Sequence, residues 1–377
     1  MPFYIGLMSG TSADAVDAVL VDITDRHCRS VLSHKLPLPD SLRSRITDLY
    51  HPGQNEIDRF GSLDREIAEC FATAVQQLLQ NAQISADGIT AIGSHGQTIR
   101  HRPRPETGRA FTLQIADPNV IAEVTGITTV ADFRRRDMAV GGQGAPLVPA
   151  FHKAVFSAAE RYRVILNIGG IANITLLPEQ CGAVRGYDTG PGNGLMDAWI
   201  QRNLGRPFDD QGAWAASGKV DHRLLTKLLA HPYFTLPSPK STGREEFHPN
   251  WLDQILHSHP SNKPEDIQAT LLELTAISIA EHIRKETTKG EIFVCGGGAR
   301  NKALLSRLQQ LLPSFALDTT AALGISPDDV EAAAFAWLAM RTLQGAPGNL
   351  ASVTGAAEDV ILGGIYPGKN WRGLRGV

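Results

Sequence analysis

The chain has 377 residues, of which 42% are hydrophobic and 20% are charged, and its formal net charge is -3. This length supports two domains of ordinary size, and the near-neutral charge argues against nucleic acid as a partner. The four cysteines lie far apart without a CxxC pair, which argues against a disulfide framework and a zinc site. The sequence has no basic leader and no apolar run of membrane-spanning length, so we expect a cytoplasmic protein without membrane contacts.

The chain opens with a predicted β-hairpin, whose strands at 3–8 and 15–22 are apolar and rich in β-branched residues. Its turn is longer than a two-residue Asn-Gly or Asp-Gly turn, and it is made of small or polar residues that let a ligand approach the backbone. The turn is therefore a candidate phosphate loop. The simpler alternative is an exposed turn in which Asp and Ser only satisfy the backbone.

Hydrophobic periodicity and glycine-rich interruptions predict the remaining elements. We expect a helix over 57–82, a short strand from 89 that runs into a Gly-Ser-His-Gly loop, and helix, strand, polar loop and helix over 119–156. There follow a second hairpin over 163–179, a turn over 188–193, a helix over 269–285, a strand, triple glycine and helix over 291–312, and a helix over 329–343. The second hairpin indicates a loose internal duplication of the first.

Three turns rich in small residues follow apolar strands, at 9–14, at 167–173 with 188–193, and at 296–298. Such turns expose backbone N–H groups that bind phosphate. The chain has no GxxxxGK[ST], which excludes a P-loop, and no GxGxxG after a strand, which disfavours a dinucleotide fold. The arrangement that remains is two hairpins facing each other across a cleft, each binding phosphate, with a third loop holding adenosine.

This order of loops resembles the superfamily of actin, the heat-shock chaperones and the hexokinases. Within it, the chain is similar over nearly its whole length to the anhydro-N-acetylmuramic acid kinase family, through the motifs GLMSGTSADAVD, SHGQT, DFRRRD, GGQGAPLVP, LNIGGIANIT, YDTGPGN, KSTGRE and CGGGARN. One departure is Ala15, which stands where the family turn has glycine. If that position needs a positive φ, alanine costs about 1 kcal/mol there.

The resemblance implies an α/β fold of the two-domain actin/hexokinase-like ATPase type, with mixed sheets flanked by helices and an interdomain cleft. We expect domain I at 1–130 plus about 350–377, with the first phosphate hairpin and part of the sugar pocket. Domain II is expected at 131–349, with the second phosphate hairpin and the adenosine loop.

The resemblance also implies the activity. It predicts an ATP- and Mg2+-dependent kinase that opens 1,6-anhydro-N-acetylmuramic acid with water and phosphorylates O6. The products are N-acetylmuramic acid 6-phosphate and ADP, in the recycling of cell-wall sugars. The expected partner is this small sugar, with neither nucleic acid nor membrane, and a homodimer is left open.

The resemblance assigns nucleotide contacts to the three glycine-rich turns. The first turn contributes Gly10, Thr11, Ser12, Ala13, Asp14, Ala15, Val16 and Asp17. The other two contribute Gly169, Gly170, Asn173, Gly296, Gly297, Gly298 and Asn301. Asp14 is the candidate for helping to hold magnesium, because that ion takes few carboxylates besides phosphate oxygens and waters.

Two carboxylates are the candidate catalytic residues. Asp188 is the predicted general base, followed by a Thr-Gly-Pro-Gly-Asn turn, and the alternative is a cap on the next helix, for which Asn193 is better suited. Glu331 begins a helix, where the helix dipole alone favours a carboxylate, and its functional interpretation is a hydrogen bond to the attacking water.

The predicted substrate-binding residues are His95, Gln97, Arg134, Arg135, Thr189 and Gly190. A lone histidine is often structural, and that alternative stays open for His95. One of the three arginines at 134–136 is expected to meet the lactyl carboxylate, because guanidinium forks suit carboxylates, while the others pair with Asp132 and Asp137. The segment 240–244 is either a cover over the substrate or a solvated loop.

Two rival functions remain at this stage. The first is a non-catalytic nucleotide-driven machine such as an actin-like filament or a chaperone, because a fold does not determine its function. The second is an ordinary sugar kinase that acts on a free hydroxyl. Strong acceleration of ATP turnover by a sugar distinguishes the first rival from a kinase. Only the family motifs distinguish the second.

Overall fold

The computed structural model describes residues 2–10, 12–24, 27–105, 107–238, 240–243, 246–257, 263–371 and 373. Its strands are β1 (Phe3–Ser9), β2 (Ala15–Thr24), β3 (His27–Pro37), β4 (Ile89–Arg102), β5 (Phe111–Ile115), β6 (Thr129–Ala131), β7 (Arg163–Ile168), β8 (Ile171–Leu177), β9 (Arg185–Pro191), β10 (Gly290–Cys295), β11 (Phe315–Thr319) and β12 (Gly364–Tyr366). Both predicted hairpins are confirmed, as β1–β2 and β7–β8.

The helices are α1 (Asp40–Asp48), α2 (Glu56–Ala82), α3 (Pro118–Thr125), α4 (Phe133–Ala139), α5 (Val148–Phe156), α6 (Gly194–Leu204), α7 (Ala213–Ser217), α8 (His222–Leu229), α9 (Pro249–Leu256), α10 (Pro264–Glu286), α11 (Lys302–Leu311), α12 (Val330–Leu343) and α13 (Ala351–Thr354). Together with the strands they form two compact units, residues 1–155 with 329–377, and residues 156–328.

The two units repeat one strand order. In the first, β3, β2, β1, β4 and β6 lie side by side; β1–β2 and β2–β3 are antiparallel, and β1–β4 and β4–β6 are parallel. In the second, β9, β8, β7, β10 and β11 have the same order and the same directions. The first sheet has two further strands: β12 pairs with β6, and β5 pairs with β4. Mixed sheets in an α/β fold and the internal duplication are therefore confirmed.

Successive residues of a strand point to opposite faces of the sheet, and in the first sheet helices cover both faces. Ile5 and Leu7 of β1 share a core with Phe71 of α2. On the other face, a Cβ added to Gly6 would lie 1.7 Å from the Ala332 oxygen of α12. Only a residue without a side chain allows this approach of helix backbone to strand backbone, and the same holds where β4 passes under α12.

The core of the second unit lies between its sheet and its helices. Val164 and Leu166 of β7 pack in one cluster with Leu274 and Ile279 of α10 and with Leu308 of α11. The helix α10 is buried on most of its surface, and it contacts α6, α7, α8, α11 and β9. The second unit is thus built around one central helix.

The predicted domain boundaries differ from the observed units. Residues 131–155 and 329–349 were expected in domain II, but they belong to the first unit. The reason is that α12 packs against β1 and β4, and α4 follows directly on β6 of the same sheet. No sequence period signals either contact.

Two local predictions are also wrong. The expected Gly-Ser-His-Gly loop is the middle of β4, which is one continuous strand. Gly96 has a φ of +75° within it, and β4 pairs first with β1 and then with β5. The expected polar loop after β6 contains a helix, α4. The residue before this helix, Asp132, has a φ of +61°.

Candidate active site

Two buried polar side chains, those of Ser9 and Gln97, hold the β1–β2 turn in place. Ser9 Oγ donates to the Ala15 carbonyl at 3.0 Å and to Gln97 Oε1 at 2.7 Å. Gln97 Nε2 donates to the Gly10 carbonyl at 3.2 Å, which also accepts from the Ala13 N–H. A Cβ added to Gly10 would meet no atom of the described residues within 4 Å, so packing alone does not require glycine there. Open space beside a fixed backbone suits a ligand that approaches it.

The backbone of this turn explains the departure at position 15. The residue with positive φ is Ala13, at +51°, whereas Ala15 begins β2 and pairs with Pro37 in an extended conformation. Ala13, Ala15 and Val16 are buried, and their contacts with a nucleotide stay predictions. Ser12 and Asp14 are exposed, and Thr11 lies outside the described residues.

The second predicted phosphate turn is a double layer of backbone. Asn193 N–H donates to the Gly169 carbonyl at 2.7 Å, and the N–H groups of Gly192 and Gly194 donate to the Gly170 carbonyl at 3.0 and 3.1 Å. A Cβ added to Gly192 would lie 2.3 Å from the Gly169 oxygen, whereas one added to Gly170 would meet no described atom within 4 Å. The turn at 169–170 is therefore supported from one side and open on the other.

The triple glycine separates into two structural residues and one open residue. Gly296 has a φ of +77°, and a Cβ on Gly298 would lie 2.3 Å from Ile168 Cγ2. Among the described atoms, a Cβ on Gly297 would meet only Asn193 Nδ2, at 3.8 Å. The structure thus places Gly297 beside the second phosphate turn, within one unit.

Asp188 lies inside strand β9, not after a strand as expected. Its backbone pairs with Asn173 of β8, and β9 continues into the supported turn at 192–194. The Thr242 N–H donates to Asp188 Oδ2 at 3.0 Å. Asn193 occupies the N-cap position of α6 without a capping side-chain hydrogen bond, and Asp188 lies earlier, within β9, so it does not cap that helix.

Glu331 lies in the first turn of α12 within a group of charges of the first unit. Desolvation by the surrounding protein raises the pKa of its carboxyl; the cationic Arg134 opposes this shift, and the negative Asp17 adds to it. Asp17 itself pairs with Lys35 at 3.4 Å. A carboxyl with a raised pKa is suited to proton transfer and to hydrogen bonding with a substrate or water.

The guanidinium of Arg134 is held by His95 and by a backbone carbonyl. Its Nε and one terminal nitrogen donate to His95 Nε2 at 3.0 and 2.8 Å, and the other terminal nitrogen donates to the Gly144 carbonyl at 2.8 Å. Burial lowers the pKa of the Arg134 guanidinium to about 10, so it stays cationic at neutral pH. Burial and the Arg134 charge lower the pKa of His95, which accepts as a neutral ring. Arg135 is exposed and pairs with Asp132 at 3.5 Å, as expected for one arginine of the run.

The comparisons with known proteins decide the family. The family model described as anhydro-N-acetylmuramic acid kinase matches residues 2–368. Curated relatives with that name include one from Shewanella baltica (strain OS223), 55% identical over 97% of this chain and 99% of its own, and one from Shewanella sp. (strain MR-7), 56% identical over the same shares. The chain belongs to the anhydro-N-acetylmuramic acid kinase family.

The anhydro-N-acetylmuramic acid kinase family confirms the predicted function, a phosphotransferase with an alcohol acceptor that serves peptidoglycan recycling. Solved structures are similar only distantly. One is the activator of the 2-hydroxyisocaproyl-CoA dehydratase from Clostridium difficile with bound ADPNP, with a TM-score of 0.46, 12% identity, and coverage of 89% of this chain and 92% of that one. In the part of the chain that the structure describes, no helix is long and apolar enough to cross a membrane.

Three residues predicted to contact ligands in this kinase use their side chains within the protein, and a fourth, Gly190, is confined by its backbone. Gln97 is bound to Ser9 and Gly10 as described, and Thr189 Oγ1 donates to the Ala172 carbonyl at 3.1 Å. Asn301 Oδ1 accepts from the Leu304 N–H and caps α11. Gly190 has a φ of +144° and lies against Phe234. These contacts give each residue a structural role, and the predicted ligand contacts stay predictions.

Sequence reasoning missed one group that touches the candidate base. Tyr233 is buried, and its hydroxyl donates to the Asp188 carbonyl at 2.7 Å. It lies in the proline-rich stretch at 231–249, a stretch in which periodicity does not mark individual residues. The KSTGRE motif is the only nearby signal, because the Asp188 N–H donates to the carbonyl of its first residue, Lys240, at 3.0 Å.

Proposed function

We propose that this kinase opens 1,6-anhydro-N-acetylmuramic acid with water and transfers the γ-phosphoryl group of ATP to O6, in the cytoplasm and with Mg2+. The observation that carries the proposal is the position of Asp188. Asp188 lies on β9, the strand that runs directly into the glycine-supported turn at 192–194, and its carboxylate accepts a hydrogen bond from the Thr242 N–H. A base and a phosphate-binding turn on one strand suit a reaction in which both act on the same substrate.

The chemistry follows from the anhydro bridge. O6 of the substrate is bonded to the anomeric carbon, so phosphorylation at O6 requires that this bond break. Asp188 takes a proton from water as the water oxygen bonds to the anomeric carbon. The electron pair of the broken bond stays on O6, which bonds to the γ-phosphorus as the bond to the β-phosphate oxygen breaks. Attack on the face opposite the leaving oxygen is the geometry of an inverting glycosidase, and in-line displacement is that of phosphoryl transfer.

The first unit contributes charged groups to this proposal. We assign the lactyl carboxylate of the sugar to Arg134, because its guanidinium is held by His95 and Gly144 and remains cationic. Planar guanidinium groups bind carboxylates through paired hydrogen bonds. Glu331 is assigned the hydrogen bond that holds the attacking water.

The residues fit a magnesium ion that arrives with the nucleotide. Asp14 is exposed at the first turn, and its Oδ1 pairs with Arg43 at 2.6 Å. Among the described residues, no group of three or more His, Cys, Asp or Glu side chains could hold a metal. Magnesium bound mainly by phosphates and waters needs few protein ligands, so Asp14 is the residue that would hold it. The ion would neutralise charge on the phosphates.

Isotope labelling tests the proposed chemistry. In ¹⁸O-labelled water, the label is expected on the anomeric oxygen and not in the phosphate or its bridge to C6. The first product is expected to be the α anomer, before mutarotation. Label in the phosphate, or a phosphorylated product with its anhydro ring intact, would show that the proposal is wrong.

A further inference from the structure

The candidate base is surrounded by a fixed piece of chain that the reaction scheme does not yet use. Asp188 makes three hydrogen bonds with this segment. Its N–H donates to the Lys240 carbonyl, its carbonyl accepts from the Tyr233 hydroxyl, and its Oδ2 accepts from the Thr242 N–H. We call the groups at 233, 240 and 242 the Asp188 clamp. The Thr242 N–H thus holds the carboxylate, while Lys240 and the buried phenol of Tyr233 hold the backbone of the same residue.

The clamp is itself anchored in the second unit. Thr242 Oγ1 donates to Glu246 Oε2 at 2.8 Å, and Phe247, which follows, is buried. The Phe247 ring meets the Tyr233 ring edge to face, with centroids 5.5 Å apart. Lys240 Nζ donates to the Tyr233 carbonyl at 2.7 Å and lies 4.3 Å from the centroid of the same ring. The position of the Thr242 N–H is therefore set by buried aromatic packing.

The Thr242 N–H acts on the charged form of the Asp188 carboxyl. A hydrogen bond to the ionised form of a carboxyl favours that form. Among the described residues, the titratable groups near Asp188 include Tyr233, Lys240 and, through Thr242, Glu246. Burial raises the pKa of Tyr233, and the charge of Asp188 raises it further, so the phenol stays a donor. Burial lowers the pKa of Lys240 to about 8.

We propose that Thr242 is a positioning residue for catalysis, whose backbone N–H orients the Asp188 carboxylate and favours its ionised form. This proposal rests on the proposed function, in which Asp188 is the base. It gives the KSTGRE segment a role that neither a cover over the substrate nor a solvated loop supplies. The side chain at 242 serves the clamp only by holding its own backbone in place.

A backbone substitution tests the proposal with the full-length enzyme. The α-hydroxy analogue of valine at position 242 replaces the N–H by an ester oxygen, and Thr242→Val is its matched control, with the same side chain and the N–H retained. The acid limb of the kcat/KM profile against pH is expected to move up by about one unit in the ester variant, because one donor to the carboxylate is lost. The shift is measured against Thr242→Val, which also lacks the Oγ1 bond to Glu246, so the difference between the two variants isolates the loss of the N–H.

A second measurement separates this proposal from the assignment of the base. ¹³C NMR of labelled aspartate, with the Asp188 signal assigned through Asp188→Asn, measures the carboxyl pKa without any activity. An upward shift of both the NMR pKa and the kinetic limb supports the proposal. An NMR pKa that is unchanged in the ester variant overturns it. A shifted NMR pKa with an unmoved kinetic limb shows instead that Asp188 is not the base, which overturns the assignment on which the proposal rests.

Discussion

Two neighbouring glycines of the triple-glycine turn should respond differently to substitution by larger residues. Gly297→Val places a branched side chain where the only described atom near a Cβ is Asn193 Nδ2 at 3.8 Å, in ordinary contact. Gly298→Ala places a single methyl group 2.3 Å from Ile168 Cγ2, about 1 Å closer than ordinary contact. The first change should therefore affect a ligand, and the second should affect the fold.

The expected magnitudes follow from these distances. Overpacking of a buried site costs about 1–3 kcal/mol, so Gly298→Ala should lower Tm by about 2–4 °C for each kcal/mol in a unit of this size. Gly297→Val should leave Tm near that of the wild type. If adenosine lies against this backbone, the variant should weaken ATP binding at least about tenfold, which is 1.4 kcal/mol.

Thermal melts and calorimetric nucleotide titrations of the two purified variants measure both effects. Gly298→Ala serves as the control for loss of the fold, and Gly297→Ala shows whether the binding effect grows with side-chain size. An unchanged affinity for ATP in a well-folded Gly297→Val variant would mean that the triple glycine is only a turn. A Gly298→Ala variant as stable as the wild type would refute the packing argument.

Two further predictions concern the candidate base and the buried histidines. Asp188→Asn keeps the size of the side chain but removes the proton acceptor, so kcat should fall about 10²–10⁴-fold with ATP binding retained, and more than a tenth of wild-type kcat would exclude Asp188 as the base. Burial lowers the pKa of His152 to about 3, so a neutral ring stabilises the fold above pH 6.5, and this stability is lost as the pH falls from 6.5 toward 3. At pH 5 the loss is about 2 kcal/mol. In urea titrations at pH 7 and pH 5, His152→Leu should lose less stability than the wild type over that interval; an equal loss in both proteins would contradict the assignment.

The local parts of the fold were predictable because their causes are local. Apolar strands separated by glycine-rich turns were enough to place both hairpins, and a strand, glycines and a helix over 291–312 were placed correctly. The continuation of β4 through Gly96 was not, because a positive φ inside a paired strand and a loop have the same residue pattern. Nor was the helix α4, whose charged face carries no strong apolar period.

The parts of the site that escaped sequence reasoning depend on distant contacts. Nothing in the sequence pairs Arg134 with His95, yet this contact singles out one arginine of the run. The same is true of Tyr233, which meets Asp188 across 45 positions of the chain. Residue type alone predicted which groups carry charge, and only the fold shows which of them are held in place.

The discontinuity of the first unit has a consequence for biosynthesis. When the ribosome has completed residue 328, the second unit has all of its chain, but the first unit still lacks α12. Until that helix emerges, the backbone groove at Gly6 and Gly93 is uncovered, and the apolar face of the first sheet has no partner there. The segment made first is thus completed last, and for the time it takes to synthesise 173 residues this nascent sheet is the surface most in need of protection by a chaperone.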